Sequence, residues 1–138
     1  MASGIYDVFK GDLMEKQVDI GDGGDTIQVA LLDDSHSFTS SDATWSDVNA
    51  NEISGTGYTA SGATLAGQTV TEGATTKFDG TDTTWTTASF TAYHAVLFDD
   101  TNSESLICSI DFGGAKTVSA GTFTIQWNAN GIITLATA

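Results

Sequence analysis

His36 and His94 are the only histidines in the chain, and Cys108 is its only cysteine. Nucleophilic catalysis needs a Ser or Cys beside a His that an acid orients. His36 stands in "DDSHSF", a polar loop. His94 stands in "FTAYHAVLF", where strand alternation places it on the face of Ala92 and Val96. No Gly-x-Ser-x-Gly elbow occurs. Both histidines read as surface or packed residues, and no catalytic residue is expected. Cys108, in "LICSIDF", reads as a small buried core residue, and a lone cysteine excludes an intrachain disulfide.

Oxygen ligands are more plentiful. "DIGDGGD" spaces Asp19, Asp22 and Asp25 three apart with glycines between, and "FDDTNSE" offers Asp99, Asp100, Asn102 and Glu104. Calcium takes six or more oxygens and tolerates such loops. Neither stretch has the ligand order of an EF-hand, so both read as acidic surface turns and no metal is expected. No Cys/His cluster suits zinc. The glycines of "SGTGYTASGATLAG" lack the Lys and the following helix that a phosphate loop requires. Trp45, Tyr58, Trp85, Tyr93 and Trp127 could form a sugar-binding platform, but at strand spacing they read as core or interface residues. No cofactor is expected.

The elements that position these residues are mostly strands. "SGIYDVFKGDLMEKQ" has helical spacing at Ile5, Phe9 and Leu13, with Val8 beside them and Ser3 as a cap, which predicts a short helix near residues 4–16. Gly11 weakens it by roughly 1 kcal/mol relative to Ala. In "TIQVALLD", Ile27, Val29 and Leu31 alternate as a strand. "SDATWSDVNANEI" predicts a second short helix near 43–50, with Trp45 and Val48 on one face. From Ser54 onward, short Thr-, Val-, Ile- and aromatic-rich runs are punctuated by Gly, Asp and Asn. The strongest are Phe90–Phe98, Leu106–Phe112, Phe123–Trp127 and Ile132–Leu135. Leu106, Cys108, Ile110 and Phe112 share one face by alternation, as do Phe123, Ile125 and Trp127. "NANG" predicts a hairpin between the last two strands. The expected fold is mainly β, an antiparallel β-sandwich or barrel-like domain with a short N-terminal helix and one further short helix. Its core should hold Phe9, Leu13, Val29, Leu31, Leu97, Ile110, Phe112, Ile125 and Leu135.

Composition bounds the function classes. With 138 residues and 40% hydrophobic side chains, the chain fits one folded domain spanning residues 1–138. Eighteen carboxylates face four lysines (Lys10, Lys16, Lys77, Lys116), without arginine, for a net charge of -14. That balance opposes binding to a phosphate backbone and favours solubility and mutual repulsion. No nucleic acid and no membrane are expected as partners. No stretch approaches the ~18 apolar residues of a membrane span. No cationic start with an apolar run marks a secretory signal, so synthesis in the cytosol is expected.

Several blocks read together: "YDVFKGDL", "DTIQVALL", "WSDVNANEISGTGYTASGATLAGQTVT", "WTTASFTAYHAVLFDD" and "IDFGGAKTVSAGTFTIQWNANGIITLA". In these the chain resembles a family of small tailed-phage virion structural proteins, with "NEISGTGYTASGATL" the most specific part. The resemblance implies a component of a phage particle, placed on the head, and supplies no catalytic residues. The expected role is a capsid decoration (cement) protein. It would bind the outside of the shell of major capsid protein as a symmetric oligomer with copies of itself, and stabilise it. The alternatives are a tail- or fibre-associated virion protein and a carbohydrate-binding module on the particle surface. In the leading reading, "SGTG" turns the chain and "YTASGATLAGQTV" runs as strands whose glycines allow close backbone approach.

Overall fold

In the computed structural model, which describes residues 3–137, strands dominate. They are β1 (Gly4–Ile5), β2 (Ile27–Leu32), β3 (Ala63–Thr64), β4 (Thr69–Thr71), β5 (Thr75–Asp79), β6 (Thr83–Asp99), β7 (Ser105–Ile125) and β8 (Ile133–Ala136). Two helices, α1 (Asp7–Glu15) and α2 (Trp45–Val48), interrupt them, and a 3-10 turn over Asn49–Asn51 extends α2. The five-stranded sheet has the order β1-β7-β6-β2-β3 and the three-stranded sheet the order β4-β5-β8, with antiparallel pairing throughout. The chain is therefore mainly β, with two short helices, and sandwich-like. The large sheet ends at β1 and β3 without closing, so the barrel form does not occur.

Around β2, with Ala95–Asp99 of β6 and Ser105–Ser109 of β7, the large sheet is buried on both faces. One face packs Ile27, Val29, Leu31, Leu97, Ile107 and Cys108 against Phe9 of α1 and Phe78 of the small sheet. The other packs Ala30, Leu32, Val96, Phe98 and Leu106 against Tyr6, Trp45 and Val48. Trp45 stacks on Phe98 at 4.8 Å. The strand alternation of 27–31 is as expected, and Ala30 and Leu32 are buried as well because α2 and its flanking loops cover the second face.

Local chemistry explains the helix ends. Thr44 and Asp47 form a reciprocal capping box at α2. At α1 the N-cap is Tyr6, without a side-chain cap. Ser3 lies before β1 instead, and its Oγ accepts the Asp111 N–H at 2.9 Å. Gly4 and Ile5 are strand rather than helix, because they pair with Ser109 and Cys108. Asp7, in the first turn, sits 2.6 Å from Lys10. Lys16 ends the helix in a left-handed conformation at φ 61.

Bulges decide which side chains face which layer. β6 and β7 each join two predicted runs into one long strand, and their pairing slips at four places. Between the pairs Ala92↔Lys116 and His94↔Asp111, β7 carries Phe112–Ala115 opposite Tyr93 alone. Gly113 and Gly114 adopt φ 76 and φ 144 there, a bend closed to most side chains. His94 consequently shares its face with Val96 but not with Ala92, which belongs to the opposite layer. A second slip puts Leu106 on the opposite face from Cys108 and Ile110, which alternation had grouped together. The "NANG" turn forms, with the Gly131 N–H donating to the Asn128 carbonyl at 2.8 Å. It is no hairpin, however, because β8 leaves β7 and pairs with β5.

Seven of the nine expected core residues pack in the core; Ile110 and Phe112 among them are half-buried. Leu13 and Leu135 do not. They stand exposed, because α1 has nine residues, roughly 13 Å of helix, and leaves the outer part of β8 uncovered.

Candidate functional site

The two histidines, distant in sequence, meet in the second layer. β6 brings His94 opposite Leu32, and the loop after β2 folds His36 back over the sheet. Their rings meet edge to face at 5.0 Å. His36 Nε2 and Ser109 Oγ share a hydrogen bond of 3.0 Å, and His94 Nδ1–H donates to the Asp33 carbonyl at 3.0 Å. His94 Nε2 lies 3.8 Å from Asp111 Oδ1. Burial, with His94 adding to it, pushes the His36 imidazole down to about 4, against the opposing pull of Asp33. Ser109 beside His36 has the separation of a nucleophile and its base. Both are buried, and the lining of neither cleft described below includes them. The cluster thus acts as a hydrogen-bonded polar core that ties the loop after β2 to β6 and β7. Cys108, next to it in sequence, is buried as expected, and burial pushes its thiol up to about 12.

The two acidic loops also meet. The first closes on itself, with the Asp25 N–H donating to the Asp19 carbonyl at 2.7 Å and the Asp19 N–H donating to Asp25 Oδ2 at 2.8 Å. The second turns around Asp99, whose Oδ1 accepts the N–H groups of Thr101 and Asn102 at 3.0 and 3.1 Å. Asp99 is fully buried and its Oδ2 has no partner. Burial, then the neighbouring Asp25 carboxyl, raises its pKa to about 6. Among the described residues, no three Asp, Glu, His or Cys side chains gather as metal ligands.

The glycine-rich stretch, expected to run as strands, is instead mostly a loop laid on the sheet, with Ala63–Thr64 as strand before β4 begins at Thr69. Tyr58 pins it. Its hydroxyl donates to Glu52 Oε1 at 2.7 Å and accepts the Leu31 N–H at 3.0 Å, while the Ser61 N–H donates to the same Glu52 oxygen. A Cβ at Gly57 would fall 2.8 Å from Ala88 Cα, and one at Gly62 would collide with the Val29 carbonyl. The small residues thus let the chain lie against its own β2 and β6. The five aromatics form no shared exposed platform. Trp45 and Trp85 are buried and Tyr58, Tyr93 and Trp127 half-buried, with Trp127 Nε1–H bonded to the Thr81 carbonyl at 3.1 Å.

What remains open is apolar. Between α1 and the small sheet runs a groove of about 160 Å³ lined by Phe9, Leu13, Ile20, Val70, Phe78 and Leu135. Its rim is unusually bare, with Leu135 71%, Val70 44% and Leu13 42% exposed, and Met14 beside Leu13 at 90%. Along β7 lies a wider cleft of about 620 Å³, lined by Ile110, Phe112, Phe123, Trp127 and Ile132 together with Lys116 and Asn128. Both surfaces draw on the C-terminal part of the chain, where the charge pattern changes. All 18 carboxylates lie between Asp7 and Asp111, and Lys116 is the single charged side chain after Asp111. This boundary is readable in the sequence, whereas attention to the stretch near residues 48–67, where Glu52 is the one charged residue, misses it.

No helix among the described residues is long and apolar enough to cross a membrane. Comparison with family models, with curated proteins and with solved structures yields no match.

Proposed function

We propose that this chain is a capsid decoration protein of a tailed phage, a non-enzymatic subunit that binds the outer surface of the major capsid protein shell and stabilises it. The sequence resemblance motivates the class. The observation that carries the attachment mode is the apolar rim of the groove, formed by Leu13, Val70 and Leu135 with exposed Met14 next to Leu13, on a chain of net charge -14. Large apolar side chains left open beside a cavity mark an interaction site more than a solvated surface. Full burial of each would contribute about 1.5–3 kcal/mol. Net repulsion between acidic surfaces opposes long-range attraction, so docking rests on close-range packing into this groove. No nucleic acid, membrane or cofactor enters the reading, and His36 and His94 serve only the fold.

The test mixes purified protein with expanded capsids that lack it and measures occupancy by sedimentation and electron microscopy. Occupancy should hold or rise as salt increases, because screening fades a repulsion over ~10 Å at ~0.1 M. Leu135→Asp should weaken binding by about tenfold or more, equivalent to ~1.4 kcal/mol. Occupancy that collapses with salt, or binding indifferent to Leu135→Asp and Val70→Asp, would overturn the attachment mode. The absence of binding under all conditions would overturn the function.

A further inference from the structure

We propose that a second copy of this chain docks along the outer edge of β7, joining two large sheets across a two-fold axis. β7 is paired with β6 on one side along its length, bulges apart, but on its other side its partners stop at Asp111: Thr44 bridges Ser105, the Ala43 carbonyl accepts the Leu106 N–H, β1 pairs with Cys108 and Ser109, and Ser3 Oγ accepts the Asp111 N–H. From Lys116 to Ile125 the outer backbone groups are therefore left without a strand. Soluble proteins usually guard such an edge with charge, proline or a cover. Here "TVSAGTFTI" holds no charge and no proline, and only the bend at Ala120 (φ 49) divides it into two short pairing runs. The cleft beside it presents Phe112, Phe123 and Trp127, which alternate side chains of an added strand would cover.

Charge selects the occupant. A basic partner would be drawn to the part of the chain that holds all 18 carboxylates, not to an edge whose one charged residue is Lys116. A partner as acidic as the chain itself can approach closely only where carboxylates are absent, and another copy is such a partner. The same edge on both copies makes a self-complementary contact, the commonest way in which homo-oligomers close. This contact uses a different face from the groove proposed for the shell, and it stands without that reading.

The test is sedimentation velocity of the purified chain over a concentration series. A reversible monomer–dimer equilibrium is expected, tightening as salt rises from ~0.05 to ~0.5 M because the net repulsion is screened. Ser119 and Thr122 are exposed, so Ser119→Glu with Thr122→Glu should leave the circular dichroism unchanged while weakening the dimer by about tenfold or more. Adding the same charge elsewhere, at exposed Thr39 and Thr59 (Thr39→Glu with Thr59→Glu), should change the equilibrium far less. A monomer at every concentration and salt overturns the proposal, as does a dimer indifferent to the edge variant. If the edge variant loses capsid binding and the unaltered chain never dimerises, the edge belongs to a strand of the shell and the second copy is wrong.

Discussion

Asp99→Asn should make this protein more stable at neutral pH. The Asp99 carboxyl is fully buried, with Oδ1 holding two backbone N–H groups and Oδ2 unpartnered near the Asp25 carboxyl. Burial first, and Asp25 second, lift its pKa from 3.8 to about 6. The folded chain therefore holds this proton more tightly than the unfolded chain does. The resulting stabilisation is complete below pH 3.8 and is lost as pH rises through about 6. At ~1.36 kcal/mol per pH unit, the loss amounts to roughly 2–3 kcal/mol. Asparagine keeps the Oδ1 acceptor, has no charge to desolvate and can donate its amide toward Asp25. Urea denaturation across the pH range should place the variant roughly 2–3 kcal/mol above the parent at neutral pH and level with it near pH 4. A difference that stays constant with pH, or a loss of stability at neutral pH, would refute the reasoning.

His36 has the opposite dependence. Its pKa is lowered from 6.5 to about 4, so stability is lost as pH falls from 6.5 through about 4, by up to ~3 kcal/mol. Because Asp99 offsets this in the same window, the acid loss should appear clearly in the Asp99→Asn background and flatten when His36→Gln is added, as read from urea midpoints. Leu97→Ala should cost ~2–5 kcal/mol in denaturant unfolding, because Leu97 is fully buried between β2 and β7, whereas Leu135→Ala should cost no more than ~0.5 kcal/mol. Gly62→Ala should lower the melting temperature and cost more than ~1–2 kcal/mol, since φ 80 strains any side chain and the added Cβ meets the Val29 carbonyl; an unchanged melting temperature would mean that the loop does not lie on β2.

Period-two alternation made β2, and most of β6 and β7, legible residue by residue, because a strand's faces follow from backbone geometry. The Ser/Thr and Asp pattern ahead of Trp45 located α2 for a similar reason, since capping is a contact within a few residues. The block after Asp111, where Lys116 is the one charged residue, was equally open to view, being a matter of composition. The faces of Ala92 and Leu106 were decided elsewhere. One inserted residue flips every side chain beyond it, and where it falls depends on the partner strand's register. β8's departure from the "NANG" turn was likewise decided by β5, which offered a free edge. Leu135 kept the inner face that alternation assigns it but found nothing to cover it, because the length of α1 sets how far that layer extends. The meetings of His36 with His94 and of Asp25 with Asp99 belong wholly to the tertiary structure. Local sequence sets the alternation within an element; the packing of distant segments decides where that alternation slips and what each side chain meets, and so its burial and its charge.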